Sequence, residues 1–235
     1  LGIQNIEILE GLYKNSRIMI EGPPGSGKTT IAKAFIDRQF GKCGIYLCWN
    51  NFLSHFTNHL LKTRSNGVDI EVTTFFRFML KHNPDLKYEE IIHLNESQFY
   101  DLFKQTIGKL ERTNSLKQYD FVVIDEGQDI LDRGLDLFIN KFCGYNGNGL
   151  SNGSALVLCD IDQSYSASGR NVMELADLLT EYFSHFKLND VKRSAQNPDI
   201  RKLSVELLEN PKALAADNFS VTYPNIPVIV HSSLE

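Results

Sequence analysis

The chain has 235 residues, 42% apolar and 23% charged, which excludes a disordered or fibrous protein and leaves ample material for a packed core. Its 24 Lys and Arg against 29 Asp and Glu give a net charge of −5, so the surface as a whole lacks the basic excess of a nucleic-acid-coating protein. Cys43, Cys48, Cys143 and Cys159 form no Cys-x-x-Cys pair, which excludes the usual zinc and dithiol signatures.

Short apolar runs alternate with longer periodic segments along the chain. The first run, Arg17–Glu21, leads into Gly22-Pro23-Pro24-Gly25-Ser26-Gly27-Lys28-Thr29 and a helix predicted over Lys28–Phe40. Those eight residues fit G-x-x-x-x-G-K-[ST] in full, in the strand-to-helix context that the motif requires. Glycines there let successive N–H groups turn inward on phosphate oxygens, and the helix N-terminus adds its dipole. Lys28 then neutralises the β- and γ-phosphates and the Thr29 hydroxyl is a ligand for Mg²⁺. Gly22, Pro23, Pro24, Gly25, Ser26, Gly27, Lys28, Thr29 and Thr30 are therefore the expected nucleotide-binding residues.

A second strand, Gly44–Trp49, and a helix, Asn51–Lys62, follow; then come a third strand, Ile70–Thr74, and a helix, Phe75–Lys81. The stretch His82–Lys117 is helical in character without a strand, and is expected to be a small helical insertion in a core made of residues 1–81 and 118–235. The fourth strand, Phe121–Asp125, is apolar on both faces and ends in Asp125-Glu126. An acid pair at the end of a buried strand is the second half of a phosphoryl-transfer site. Asp125 is expected to hold Mg²⁺ through a water, and Glu126 to take a proton from an attacking water, an arrangement for hydrolysis rather than for a kinase. Beyond it the pattern predicts a helix over Gly134–Phe142, a glycine-rich loop over Gly144–Gly153, a strand over Ala155–Ile161, a helix over Val172–Phe183, a strand over Phe186–Leu188 and a helix over Pro198–Leu208. This βα alternation predicts an α/β fold, a mostly parallel sheet flanked by helices. The six histidines have no metal spacing. No signal peptide opens the chain and no apolar run approaches the roughly 18 residues of a membrane span. A reducing cytoplasm and no membrane partner are expected.

With Asp125-Glu126-Gly127-Gln128-Asp129 in view, the chain resembles the first motor domain of superfamily 1 helicases of the UvrD/Rep type, which implies a RecA-like fold. That family reads Asp-Glu-Ala-Gln-Asp at this point, so Gly127 is a small-for-small departure. Cys159-Asp160-Ile161-Asp162-Gln163-Ser164 is similar to its Gly-Asp-x-x-Gln-Ser element, and Asn189-Asp190-Val191-Lys192-Arg193-Ser194 to its Asn-Tyr-Arg-Ser segment. The resemblance runs from about Gln4 to Ser194. It implies that Gln4 reads the adenine edge, making ATP with Mg²⁺ the cofactor pair. It further implies that Gln163 senses the γ-phosphate and that Arg193 is an arginine finger, beside Lys28 and Glu126 as the catalytic set. Single-stranded DNA or RNA is the implied partner, contacted by Trp49, Asn50, Asn51, Thr74 and Phe75, with aromatic rings as stacking faces for bases. The insertion falls where the family places its 1B subdomain.

Helicases of this type close two motor domains on ATP, and only about forty residues follow Ser194. The expectation is a fragment of a longer protein, with a second RecA-like domain as its partner, that binds nucleotide and hydrolyses it weakly. An ATP-dependent switch or scaffold that keeps these motifs without unwinding is the alternative. A small-molecule kinase is disfavoured by the acid pair and by the Asp-x-x-Gln element.

Overall fold

In the computed structural model the chain is described at residues 15–49, 67–144, 147–160, 177 and 179–188. It divides into two compact units; of these residues, 24–27 belong to the second and the remainder to the first. The elements of the first unit are, in chain order, β1 (Arg17–Glu21), α1 (Lys28–Ile36), β2 (Cys43–Cys48), β3 (Asp69–Thr74), α2 (Phe75–His82), α3 (Tyr88–Ile91) and α4 (Glu96–Arg112). They continue with β4 (Phe121–Ile124), α5 (Gly127–Ile130), a 3₁₀ turn (Leu131–Arg133), α6 (Leu135–Phe142), α7 (Gly149–Asn152), β5 (Ser154–Cys159) and β6 (Ser184–Lys187).

The strands form one six-stranded sheet in the order β3-β2-β4-β5-β1-β6. Every neighbouring pair is parallel, which is stricter than the mostly parallel sheet expected. Parallel strands carry helices on both faces, so their sequences read as continuous apolar runs. Alternation then splits each run between two cores. Ile18, Ile20, Tyr46, Cys48, Phe121, Val123, Leu156 and Leu158 pack with Ile31, Ala32, Phe35 and Ile36 of α1. Met19, Ile45, Leu47, Val122, Ile124, Ala155 and Val157 face the other way, onto a cluster containing Phe75, Phe78, Phe103, Phe138 and Phe142. The result is a sheet between two helical layers.

Local chemistry sets the element ends. Thr74 caps α2, its Oγ1 accepting from Arg77 N–H at 3.2 Å. Asn95 and Gln98 form a reciprocal capping box at the start of α4, with bonds of 2.9 and 3.0 Å, which satisfies N–H groups the helix itself leaves without partners. The first helix stops at Ile36, short of the expected Phe40. There the bonds tighten to Arg38 N→Phe35 O and Gln39 N→Ile36 O, Gly41 turns left-handed with φ 70°, and Phe40 is left 75% exposed.

The stretch expected as an insertion carries α3 and α4. Its apolar face (Ile91, Phe99, Phe103, Ile107 and Leu110) lies in the same core cluster as the sheet and α6. The glycine-rich stretch expected to be a loop contains one helical turn, α7, closed by Asn152 N→Asn148 O at 2.9 Å and Gly153 N→Gly149 O at 2.8 Å. Cys48, Cys143 and Cys159 are buried, and burial pushes the Cys143 and Cys159 thiols up to about 12, so both are inert core groups. No described helix is long and apolar enough to cross a membrane. The expected helices over Asn51–Lys62 and Pro198–Leu208, and most of that over Val172–Phe183, lie outside the described residues.

Candidate nucleotide site

In a parallel sheet ligands sit beyond the carboxyl ends of the strands, and within the first unit Lys28, Asp125 and Glu126 follow the carboxyl ends of β1 and β4. Two backbone bonds fix the end of β1 in the sheet: Gly22 N–H donates to Cys159 O at 3.0 Å, and Leu188 N–H to Glu21 O at 2.7 Å. Lys28, in the first turn of α1, is 9% exposed. Its Nζ folds back to donate to Gly22 O at 2.5 Å and Pro23 O at 3.2 Å. Thr29 and Thr30 are exposed beside it.

Within the second unit, Gly25 and Gly27 hold φ of 78° and 103°, a region closed to most side chains, so the alternation of glycines around Ser26 is a backbone requirement. Ser26 itself is buried, and its Oγ has no hydrogen-bond partner among the described residues. An orphaned buried hydroxyl is costly unless something fills its bonds.

At the end of β4, Asp125 is 4% exposed. Its N–H continues the ladder to Leu47 O at 2.8 Å. Its Oδ2 accepts from Tyr46 Oη at 2.5 Å and its Oδ1 from Glu126 N–H at 3.1 Å. Burial raises its pKa; the Tyr46 hydroxyl opposes this, the Glu126 charge adds to it, and the Glu126 N–H and the Lys28 ammonium pull it down. Lys28 is therefore near enough to Asp125 for its charge to act on it.

That shift has a testable sign. A carboxyl whose folded pKa is raised contributes stability below its unfolded value, and the contribution is lost as pH rises through the folded value. As pH rises above the ordinary carboxylate range, buried Asp125 becomes a burden on the empty protein. Asp125→Asn keeps an oxygen for the Glu126 N–H and an amide that can donate to Tyr46 Oη. It is expected to raise the melting temperature of protein stripped of nucleotide and divalent ions at neutral pH. The advantage should fade as pH falls into the ordinary carboxylate range. Calorimetry across pH tests this; a variant that melts lower at every pH would refute the sign.

Glu126 is half-buried and adopts a left-handed backbone, φ 53° and ψ 48°, a conformation that costs a non-glycine residue of order 1–3 kcal/mol. Its Oε2 accepts from Gln128 Nε2 at 2.8 Å, and among the described residues no donor reaches Oε1. Gly127 is wedged against β5: a Cβ there would lie 2.9 Å from Val157 Cγ1 and 3.3 Å from Leu158 O. An alanine here would not fit without a shift of its neighbours, which accounts for the glycine.

The expected nucleic-acid contacts fare differently. Phe75 is 0% and Thr74 1% exposed; the first is core and the second is the α2 cap, so neither offers a face to a base. Trp49 is half-buried at the end of β2, with the Arg133 guanidinium 4.6 Å and the Phe76 ring 4.4 Å from its own ring. Arg133 is further held by Glu96 Oε1 at 2.8 Å and donates to Asp129 O at 2.8 Å. Gln4, Asn50, Asn51, Gln163 and Arg193 lie outside the described residues.

Two residues escaped the sequence reading. Tyr46 is a tyrosine in an otherwise apolar central strand, and a buried phenol needs a partner; that was the available signal. Gln128 stands in the motif itself, but its second partner, the N–H of Asp160 at 3.0 Å, is distant in sequence.

No family model matches the chain, and no curated protein matches it. Among solved structures it is similar to the Hef helicase domain of Pyrococcus furiosus, with 16% identity, 94% of this chain and 50% of that one covered, and a TM-score of 0.45. It is also similar to a Pif1 helicase chain from a study of DNA unwinding at forked duplexes, with 16% identity, coverage of 87% and 47%, and a TM-score of 0.42. A third is Pif1 of Bacteroides sp in complex with ADP-AlF4, with 15% identity, coverage of 92% and 47%, and a TM-score of 0.40. The chain spans about half the length of each.

Proposed function

We propose that this chain is the ATP-binding and hydrolysing motor domain of a superfamily 1-type helicase or translocase that acts on single-stranded DNA or RNA beside a second RecA-like domain. The observation that carries the ATPase half is the convergence of Lys28 and Asp125-Glu126 at the carboxyl edge of the sheet, with the Lys28 charge acting on Asp125. The helicase half rests on the ordered motifs from Gly22 to Ser194.

The residues present fit a nucleotide. In the first unit a buried ammonium rests on two loop carbonyls that a phosphate would replace; in the second, taken by itself, buried Ser26 Oγ lacks a partner. Thr29 and Asp125 would hold Mg²⁺, which when bound neutralises phosphate charge. Lys28 would bind the β- and γ-phosphate oxygens, and Glu126 would orient the attacking water through Oε1 and take its proton. Phosphate then leaves and ADP remains. Gln163 and Arg193 complete the set by resemblance.

Glu126→Gln is expected to lower phosphate release by about 10²–10⁴-fold, the usual contribution of a positioned base, with nucleotide affinity unchanged. Phosphate release and titration with a fluorescent ATP analogue, on the same preparation, decide the matter. Undiminished turnover would remove Glu126 from the chemistry, and phosphate transfer to a small molecule instead of water would overturn the hydrolase reading. Binding of labelled single-stranded oligonucleotides, with and without ATP, tests the track; binding to neither DNA nor RNA would sink the helicase half.

A further inference from the structure

One side chain at the sheet edge uses both of its polar atoms. Gln128, in α5, is 8% exposed. Its Nε2 donates to Glu126 Oε2 at 2.8 Å, and its Oε1 accepts from Asp160 N–H at 3.0 Å. A carboxamide can donate and accept at once, and here it joins the acid after β4 to the main chain directly after β5. The turn that presents it cannot drift, because Gly127 lies against Val157 and Leu158 O of β5 and Ile130 is fully buried. Glu126 departs from regular backbone at this point, so its carboxylate is placed by contacts rather than by helix geometry.

We propose that Gln128 is a positioning residue that fixes the Glu126 carboxylate to the backbone at Asp160, so that the acid and the chain leaving β5 move together. This rests on the reading of Glu126 as the base and goes beyond it. The Asp160 N–H is then the backbone anchor that sets where that base stands. A filler of buried space would need only volume; a link needs the donor toward Glu126 and the acceptor toward Asp160.

Two variants of the full chain separate these roles. Gln128→Met keeps the length and removes both bonds. Gln128→Glu keeps the acceptor for Asp160 N–H but sets a second carboxylate against Glu126. Both are expected to bind a fluorescent ATP analogue within about twofold of the parent, and to release phosphate about tenfold to a hundredfold more slowly, the effect of losing one bond to a charged group. Parent-like turnover in a folded Gln128→Met protein overturns the proposal. A second measurement is independent of turnover. In ¹⁵N spectra of the nucleotide-free chain, Glu126→Ala should displace the Asp160 amide resonance, and the same substitution made on Gln128→Met, or on Gln128→Leu if the methionine variant does not fold, should leave it in place. An Asp160 amide indifferent to Glu126→Ala in the parent background overturns the link. If the displacement occurs but Glu126→Gln keeps full turnover, the link stands and the base assignment fails.

Discussion

Lys28→Ala should weaken the binding of ATP by about 10²–10⁴-fold. The lysine is buried, and its ammonium is already turned toward the loop, on Gly22 O and Pro23 O. A bound triphosphate would exchange those neutral acceptors for charged ones. Two charge-assisted bonds at about 1.5–3 kcal/mol each amount to about 3–6 kcal/mol, and every 1.4 kcal/mol is about tenfold in affinity. The fold should survive, since alanine suits the first turn of α1 and the substitution also removes a buried charge. Isothermal titration of the variant with ATP at fixed magnesium, beside a melting curve, gives the answer. Affinity within a few-fold of the parent, in a protein that melts normally, would mean that this loop does not hold the phosphates.

The second large effect concerns stability. Phe75→Ala should cost about 3–5 kcal/mol, the range for emptying a buried phenylalanine site. Its ring is fully buried and lies 5.0 Å from Phe99, 5.0 Å from Phe103 and 6.0 Å from Phe138. It therefore joins α2 to both α4 and α6, and the hole left behind cannot be closed by one neighbour moving. For a chain of this size that loss lowers the melting temperature by about 10–15 °C, and it consumes much of the 5–15 kcal/mol that holds a typical domain together. Urea unfolding followed by circular dichroism measures it. An unchanged midpoint together with weakened oligonucleotide binding would restore Phe75 to the nucleic-acid surface and contradict its place in the core.

The central strands β1, β2, β4 and β5 were legible because they are apolar on both faces and bounded by polar or turn-forming residues. Arg17–Glu21 was placed to the residue, and Phe121–Asp125 overran by one, since an aspartate at the strand's tip continues the ladder without belonging to it. The phosphate loop was legible because it is local: one strand, one turn and one helix in succession. The burial of Phe75 had a signal in the sequence. Phe75, Phe78 and Met79 follow helical spacing and share one buried face, whereas Phe76 is rotated off it and only half-buried. The helicase resemblance, which puts this segment against nucleic acid, outweighed that periodicity. What no local pattern could supply were the partners brought together by the sheet. Tyr46 reaches Asp125 across neighbouring strands, and Gln128 reaches Asp160 across another pair; both pairings depend on strand order, which the run of elements along the chain leaves open.

Trp49 is the protein's sole tryptophan, with a guanidinium over its ring and a tilted phenyl ring beside it just past β2. Indole emission is sensitive to a cation on its π-face, and here that cation is tethered to α4 by Glu96. The molecule thus carries one intrinsic optical label, at the carboxyl edge of the sheet. Red-edge excitation reports on that single indole without background from the nine tyrosines. Any step that pulls Arg133 from its stack, whether a nucleotide or a strand prompts it, will register as a change in the brightness and colour of unmodified protein, readable in a stopped-flow instrument without attaching a dye.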